Sequence, residues 1–219
     1  MKKEIDLLAK YPKTPRDLTK RLADKTEEDR EIARMFDIRF FDGLRSQGYG
    51  GFNYSPRFWT PVVPDFQKEY GLKSGMKILD VGCAKGFMLY DFEQLIPGVQ
   101  TTGVDISEYA IQNAHPGVEG KLIVANAKEL PFEDGEFDLV IAINTIHNLE
   151  FDECAQALRE IERVSKGNSF VVLDAYRTEE EKERMFAWNL TGKTILSVDS
   201  WRKFFEDNSY TGDYFWFMP

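Results

Sequence analysis

From residue 71 onward, short apolar runs alternate with longer segments whose apolar residues recur at helical spacing. Such runs are typical of strands buried on both faces of a sheet, and such spacing is typical of the helices that cover it. Five strands are predicted, over residues 77–81, 101–105, 121–125, 137–143 and 169–174, with helices over 87–96 and 152–165. A helix over 197–206 and a strand over 214–217 follow. The pattern predicts a parallel α/β sheet.

The first 70 residues have a different character. Residues 14–23 and 25–36 predict two charged helices with few apolar positions, and such helices usually cover another part of a molecule. Residues 39–64 then place aromatic side chains among glycines, which predicts a loop that closes over a ligand. The alternative is a packing loop that ties the helices to the domain. We expect a helical and aromatic lid segment, 1–70, on a ligand-binding domain, 71–219, the two forming one structural unit.

A glycine turn follows the first predicted strand, in the stretch KILDVGCAKGF at residues 77–87. In a doubly wound sheet this turn lies at the carboxyl edge, where ligands bind, and glycine lets the backbone approach a ligand closely. The turn has neither the G-x-G-x-x-G pattern of dinucleotide-binding proteins nor the G-x-x-x-x-G-K-[ST] pattern of phosphate-binding loops. NAD and ATP are therefore poor candidates.

The pattern Asp80-x-Gly82-x-x-x-Gly86 resembles motif I of the class I S-adenosylmethionine (SAM)-dependent methyltransferases. Three later segments continue the resemblance in order: TGVDIS with Asp105, Asn126-Ala127 followed by LPF, and FDLV followed by Asn144. The resemblance covers residues 71–175 and is greatest to small-molecule enzymes of the type 11 group. It implies a Rossmann-like, doubly wound, mostly parallel sheet, with SAM as the cofactor.

The resemblance also implies a set of cofactor-binding residues. Asp105 would accept from the ribose hydroxyls, Asp80 would face the methionine ammonium, and the Ala127 N–H would meet the adenine ring. The implied positions are Asp80, Gly82, Cys83, Ala84, Gly86, Asp105, Ile106, Asn126, Ala127 and Asn144.

The chain departs from the family pattern at three points. Ala84 replaces the middle glycine of the turn, and we expect it to be tolerated only with a negative φ. Asn126 replaces the acid of the adenine segment, and its amide can still accept from an amino group. The family usually has two strands after the fifth, whereas the pattern here shows one.

Methyl transfer from a sulfonium is an in-line displacement, so the protein mainly aligns donor and acceptor and excludes water. For a hydroxyl acceptor, His147 is the candidate general base because it follows the fourth predicted strand; a buried histidine that caps the strand is the alternative. Lys85 is expected to be a solvated residue at a helix start. The candidate acceptor-binding residues are Tyr49, Tyr54, Arg57, Trp59, Asp174 and Tyr176. We expect methylation of an O or N atom of a small molecule, such as a sugar or amino metabolite.

Composition restricts the partners. The net charge of −9 argues against nucleic acid binding, because polyanions are usually bound by a basic face. Two cysteines and two histidines predict no metal site, and no apolar run reaches the roughly 18 residues of a membrane span. The first residues lack the apolar core of a signal peptide, so we expect a cytoplasmic monomer or homodimer. Two alternatives to the methyltransferase are an inactive SAM-binding partner subunit and a nicotinamide oxidoreductase.

Overall fold

The structure, a computed structural model, describes residues 3–13, 25–48 and 53–219. The helix predicted over 14–23 and the side chain of Tyr49 lie outside these residues. The described helices are α1 (Glu27–Arg34), α2 (Ile38–Asp42), α3 (Pro56–Trp59), α4 (Val63–Tyr70), α5 (Phe87–Leu95), α6 (Glu108–Gln112), α7 (Phe151–Val164), α8 (Glu179–Trp188) and α9 (Val198–Asp207). Short 3₁₀ turns span Pro116–Val118 and Ile146–Asn148.

Within these ranges the strands form one seven-stranded sheet in which every pairing is parallel. They are β1 (Lys77–Val81), β2 (Gln100–Asp105), β3 (Leu122–Val124), β4 (Leu139–Ile143), β5 (Ser169–Tyr176), β6 (Leu196–Ser197) and β7 (Asp213–Phe217). The order is β3-β2-β1-β4-β5-β6, and β7 pairs with β5 along Phe170 to Asp174. The Rossmann-like α/β prediction is confirmed.

Strand β1 has β2 on one side and β4 on the other. The chain runs outward through β2 and β3 and then returns to β4, which creates a switch point at the carboxyl edge. Side chains alternate across β1: Ile78 packs on one face of the sheet with Phe92 and Phe170, and Leu79 packs on the other with Leu158. Helices therefore cover both faces, as a doubly wound sheet requires.

One strand prediction was incomplete. The pattern showed a single strand after the fifth, but β6 also pairs with the end of β5, through Ala175 and Tyr176. Because β6 has only two residues, both half-buried, it has no apolar run that a pattern can reveal.

The N-terminal segment packs against the rest of the chain. Leu7, Val63 and Phe66 are buried in the same core as β1, and the N–H of Ile5 donates to Tyr214 in β7. Helix α1 is capped at its start by Thr26, as the sequence TEED suggests. No helix in the described ranges is both long and apolar enough to cross a membrane.

Candidate active site

A cavity of about 1450 Å³ opens at the carboxyl edge of the sheet. It is lined by the ends of β1, β2, β4, β5 and β7, and by parts of the N-terminal segment. Ordinary ligand pockets measure roughly 300 to 1,000 Å³, so this volume has room for two small molecules.

Asp80, near the end of β1, is a strongly perturbed acid of the cavity wall. Asp80 is 7% exposed, and its carboxylate has no hydrogen-bonding partner within the described residues. Burial, with a smaller contribution from the charge of Asp105, raises the pKa of Asp80 to about 7. A buried carboxylate without a partner is costly unless a ligand supplies a cation or donors.

Four N–H groups of the glycine turn have partners within the fold. Gly82 and Cys83 donate to the carbonyl of Val104, Ala84 donates to Asp105, and Gly86 donates to Cys83. A Cβ on Gly82 would lie 2.1 Å from Oγ1 of Thr145, so the turn requires glycine there. Because these four N–H groups are already bonded, they are not available to a pyrophosphate, unlike the free N–H groups of a phosphate-binding loop.

The expectation that Ala84 has a negative φ was wrong. Ala84 has φ of +49°, in the left-handed region that costs a residue with a Cβ about 1 to 2 kcal/mol. The conformation aims its N–H at Oδ2 of Asp105, 2.8 Å away. This charge-assisted hydrogen bond offsets part of the strain.

Asp105 ends β2 and joins the turn to the next helix. Its two carboxylate oxygens accept from the N–H groups of Ala84 and Ser107, each at 2.8 Å. Burial still raises the pKa of Asp105, and these backbone hydrogen bonds oppose that shift. A carboxylate has about four acceptor positions, so each oxygen retains capacity for a ligand hydroxyl. Ile106, which follows, is exposed and also lines the cavity.

The predicted adenine segment also reaches the cavity. Asn126 and Ala127 both line it, and Oδ1 of Asn126 accepts from the N–H of Lys128 at 3.1 Å. Asn144, at the end of β4, lines the cavity with φ of +54°, and its carbonyl accepts from Asn148. The Oδ1 of Asn148 is buried without a partner.

His147 and Asp174 form a buried pair on the cavity wall. The N–H of Asp174 donates to Nδ1 of His147 at 3.2 Å, and Nε2 lies 3.4 Å from Oδ2 of Asp174. Burial lowers the pKa of His147, and the nearby carboxylate partly opposes this shift. The ring is therefore neutral near pH 7, with its proton on Nε2, because Nδ1 already accepts a hydrogen bond.

The structure brings most of the sequence-predicted site residues to this cavity, but not all of them. Arg57 and Trp59 line it. Tyr54 does not: its hydroxyl donates to Asp91 at 2.6 Å, and burial together with Asp91 raises its pKa to about 12. Tyr176 also lies off the cavity, with the Lys182 ammonium 5.6 Å from its ring centre. Gly86 does not line the cavity either, and it is the N-cap residue of α5.

Lys85 was wrongly expected to be solvated. It is 7% exposed, and its ammonium donates to both carboxylate oxygens of Asp42, at 2.9 and 3.1 Å. Tyr109 also donates to Asp42, and Ser107 donates to the carbonyl of Phe36. These contacts fasten α2 and Phe36, two residues before its start, to the side of the cavity that holds Asp105. The aromatic side chains that they bring to the cavity wall are Phe36, Phe40 and Phe41.

A comparison with protein families matches residues 79–173 to a family described as a methyltransferase domain. This segment runs from β1 to β5 and contains both carboxylates of the cofactor side. In the described ranges, no group of three or more His, Cys, Asp or Glu is placed to hold a metal ion.

Two curated relatives and one solved structure illustrate the similarity. The chain is 32% identical over 117 residues to malonyl-acyl-carrier-protein O-methyltransferase of Legionella pneumophila, covering 52% of this chain and 40% of that protein. It is 34% identical over 118 residues to sterol 4-C-methyltransferase of Caenorhabditis elegans, covering 49% and 33%. The chain thus spans less than half the length of these relatives. YcgJ from Bacillus subtilis shares the fold, with a TM-score of 0.54, 22% identity, and coverage of 67% and 66%.

Proposed function

We propose that the chain moves a methyl group from SAM to an O or N atom of a small-molecule acceptor, because residues 79–173 match a methyltransferase domain. The observation that supports this most is the buried Asp80 carboxylate, which has no partner in the described residues and lies on the same cavity wall as Asp105. Together these two carboxylates suit a ligand that has both a cationic and a hydroxyl-bearing end.

The residues present fit this cofactor. Asp80 would receive the methionine ammonium, Asp105 the ribose hydroxyls, and Asn126 with Ala127 the adenine edge. The turn would contact the cofactor through backbone atoms, and four of its N–H groups are already bonded within the fold. When bound, SAM supplies a methyl group activated by a positively charged sulfur.

The His147–Asp174 pair is the group to which we assign removal of the proton from the acceptor. Because Nδ1 of His147 accepts from the Asp174 N–H, the ring has no free lone pair in this arrangement. His147 then serves by stabilising the Asp174 carboxylate through Nε2–H, and that carboxylate takes the proton from the acceptor. His147 becomes the base itself only if the ring turns away from Asp174.

The N-terminal segment would exclude water. Phe36, Phe40 and Arg45 line the cavity, and α2 is held over its cofactor side by the Lys85–Asp42 ion pair. A segment that encloses donor and acceptor favours displacement by the acceptor over competing reactions with water. Tyr49 remains a prediction, since it lies outside the described residues.

The proposal is tested by incubating the chain with SAM and fractionated small metabolites, and measuring S-adenosylhomocysteine. We expect formation that depends on one fraction and is lost in Asp80→Asn and Asp105→Asn. Asp199→Asn is the matched control, because that acid is exposed and does not line the cavity. Formation that survives Asp105→Asn unchanged would contradict the proposal.

A further inference from the structure

One corner of the cavity is built from aromatic residues of the N-terminal segment. Tyr11 packs against Phe58 and Trp59, with ring centres 5.4 and 4.8 Å apart respectively. Arg57 and Lys13 line the cavity beside these rings. We call these five residues the aromatic corner. It lies outside the segment that matches the methyltransferase family, residues 79–173.

Among the described residues, the cations of this corner have no acidic partners. The Arg57 guanidinium lies 4.6 Å from the ring centre of Phe58, and neither Arg57 nor Lys13 pairs with an acid in the described part of the chain. By contrast, the neighbouring Lys10 pairs with Asp65 at 2.7 Å. The chain has 37 acids and 28 bases, so two unpaired cations beside one cavity call for a physical reason.

The guanidinium is suited to hold an anion. Stacking on Phe58 occupies one face of Arg57 and leaves its N–H edge available for a planar bidentate contact. One acid, Asp6, also lines the cavity near this end of the chain, and its Oδ1 accepts from the Leu8 N–H. With two cations and one acid, the net charge at the aromatic corner therefore remains positive.

The cavity wall thus carries side chains of opposite charge in two places. Asp80 and Asp105 make the cofactor end acidic, so an anionic group on an acceptor would be repelled there and attracted to Arg57 and Lys13. This polarity would orient an acidic acceptor with its anion away from the cofactor carboxylates.

We propose that the aromatic corner is the acceptor's anion subsite, and that the acceptor is a small organic acid whose flat face packs on the rings of Tyr11, Phe58 and Trp59. This inference rests on the proposed methyltransferase function, because the acceptor named here is the molecule that receives the methyl group. The subsite itself is a binding site that can be measured without turnover.

The test compares two fluorescent probes with nearly the same rings, anilinonaphthalene sulfonate, which is anionic, and phenylnaphthylamine, which is neutral. On the full chain, we expect the anionic probe to bind more tightly and to weaken as salt is added. The double variant Arg57→Gln, Lys13→Gln should weaken the anionic probe by about fivefold, as expected for partly exposed ion pairs. Its affinity for the neutral probe should stay unchanged.

Arg39→Gln is the matched control, because Arg39 is exposed, pairs with Asp37 and does not line the cavity. Equal binding of both probes, or an equal effect of the double variant on both, would overturn the subsite. Calorimetry with S-adenosylhomocysteine on the same samples separates the two proposals. If it binds but the probes show no charge preference, only the subsite fails; if it does not bind, the proposed function fails and the probe result still decides the subsite.

Discussion

The two ends of the cavity are built in different ways. The cofactor end is set by strand register: Asp80 pairs with Gly103 across β1 and β2, and Asp105 follows two residues later. Its carboxylates are held in place by the sheet. The aromatic corner instead lies on a short helix and on the N-terminal residues, and its cations are exposed. The sheet thus carries the part of the site that lies within the matched segment, whereas the proposed acceptor subsite lies outside it, on the N-terminal segment.

The largest expected effect comes from Asp80. Its folded pKa of about 7 lies above the model-compound value of 3.8, so the folded chain holds a proton that the unfolded chain releases between these pH values. The free energy of unfolding without ligand should therefore fall as the pH rises from 4 to 7, by about 1.4 kcal/mol for each unit of pKa difference. Asp80→Asn should remove the part of this slope that Asp80 contributes, which denaturation of both chains at several pH values would reveal.

For ligand binding, the pH dependence that Asp80 causes should have the opposite sign. Because the methionine ammonium favours the charged carboxylate, the affinity for S-adenosylhomocysteine should rise as the pH rises through 7. In Asp80→Asn the affinity should be weak and independent of pH in this range. A pH-independent affinity in the unsubstituted chain would mean that the ammonium lies elsewhere.

Asp105→Ala should cost about 1.5 to 3 kcal/mol of binding free energy for S-adenosylhomocysteine, because charge-assisted hydrogen bonds to the ribose are lost. The substitution also leaves the N–H groups of Ala84 and Ser107 without their acceptor, so stability is measured in parallel. Calorimetry gives the affinity, with Asp199→Ala as the exposed control. An unchanged affinity would place the ribose away from β2.

The sequence predicted the cofactor end better than the acceptor end. Asp80 and Asp105 could be placed because each lies at the end of an apolar strand, a local pattern. Tyr54 was misplaced because its partner Asp91 lies 37 residues away on α5. Lys85 was misread for the same reason, since Asp42 precedes it by 43 residues. Contacts between distant segments leave no periodic signal.

Asp42→Ala should destabilise the fold by about 1 to 3 kcal/mol, because it leaves the buried Lys85 ammonium unpaired. Amide exchange should quicken across residues 36–42, where the segment is fastened to the cofactor side. Asp207→Ala, which breaks the exposed pair with Lys203, should have little effect on either measurement. If both variants behave alike, the Lys85–Asp42 pair does not hold α2.

The smallest effect is expected at Ala84. Ala84→Gly relieves a left-handed φ but increases the flexibility of the unfolded chain, so we expect a gain of no more than about 1 kcal/mol. Ala157→Gly, inside α7, should lose about 1 kcal/mol. Thermal denaturation of the two variants gives the contrast, and a clear loss in Ala84→Gly would mean that the turn is not strained.

The central claim, that the acidic end of the cavity holds SAM, is tested most directly by calorimetric titration of the unsubstituted chain with S-adenosylhomocysteine and, separately, with NAD. The account predicts saturable binding of S-adenosylhomocysteine and none of NAD, because the turn has two cofactor-facing carboxylates nearby and no unoccupied N–H groups at Gly82, Cys83, Ala84 or Gly86 for a pyrophosphate. Binding of NAD without binding of S-adenosylhomocysteine would contradict it.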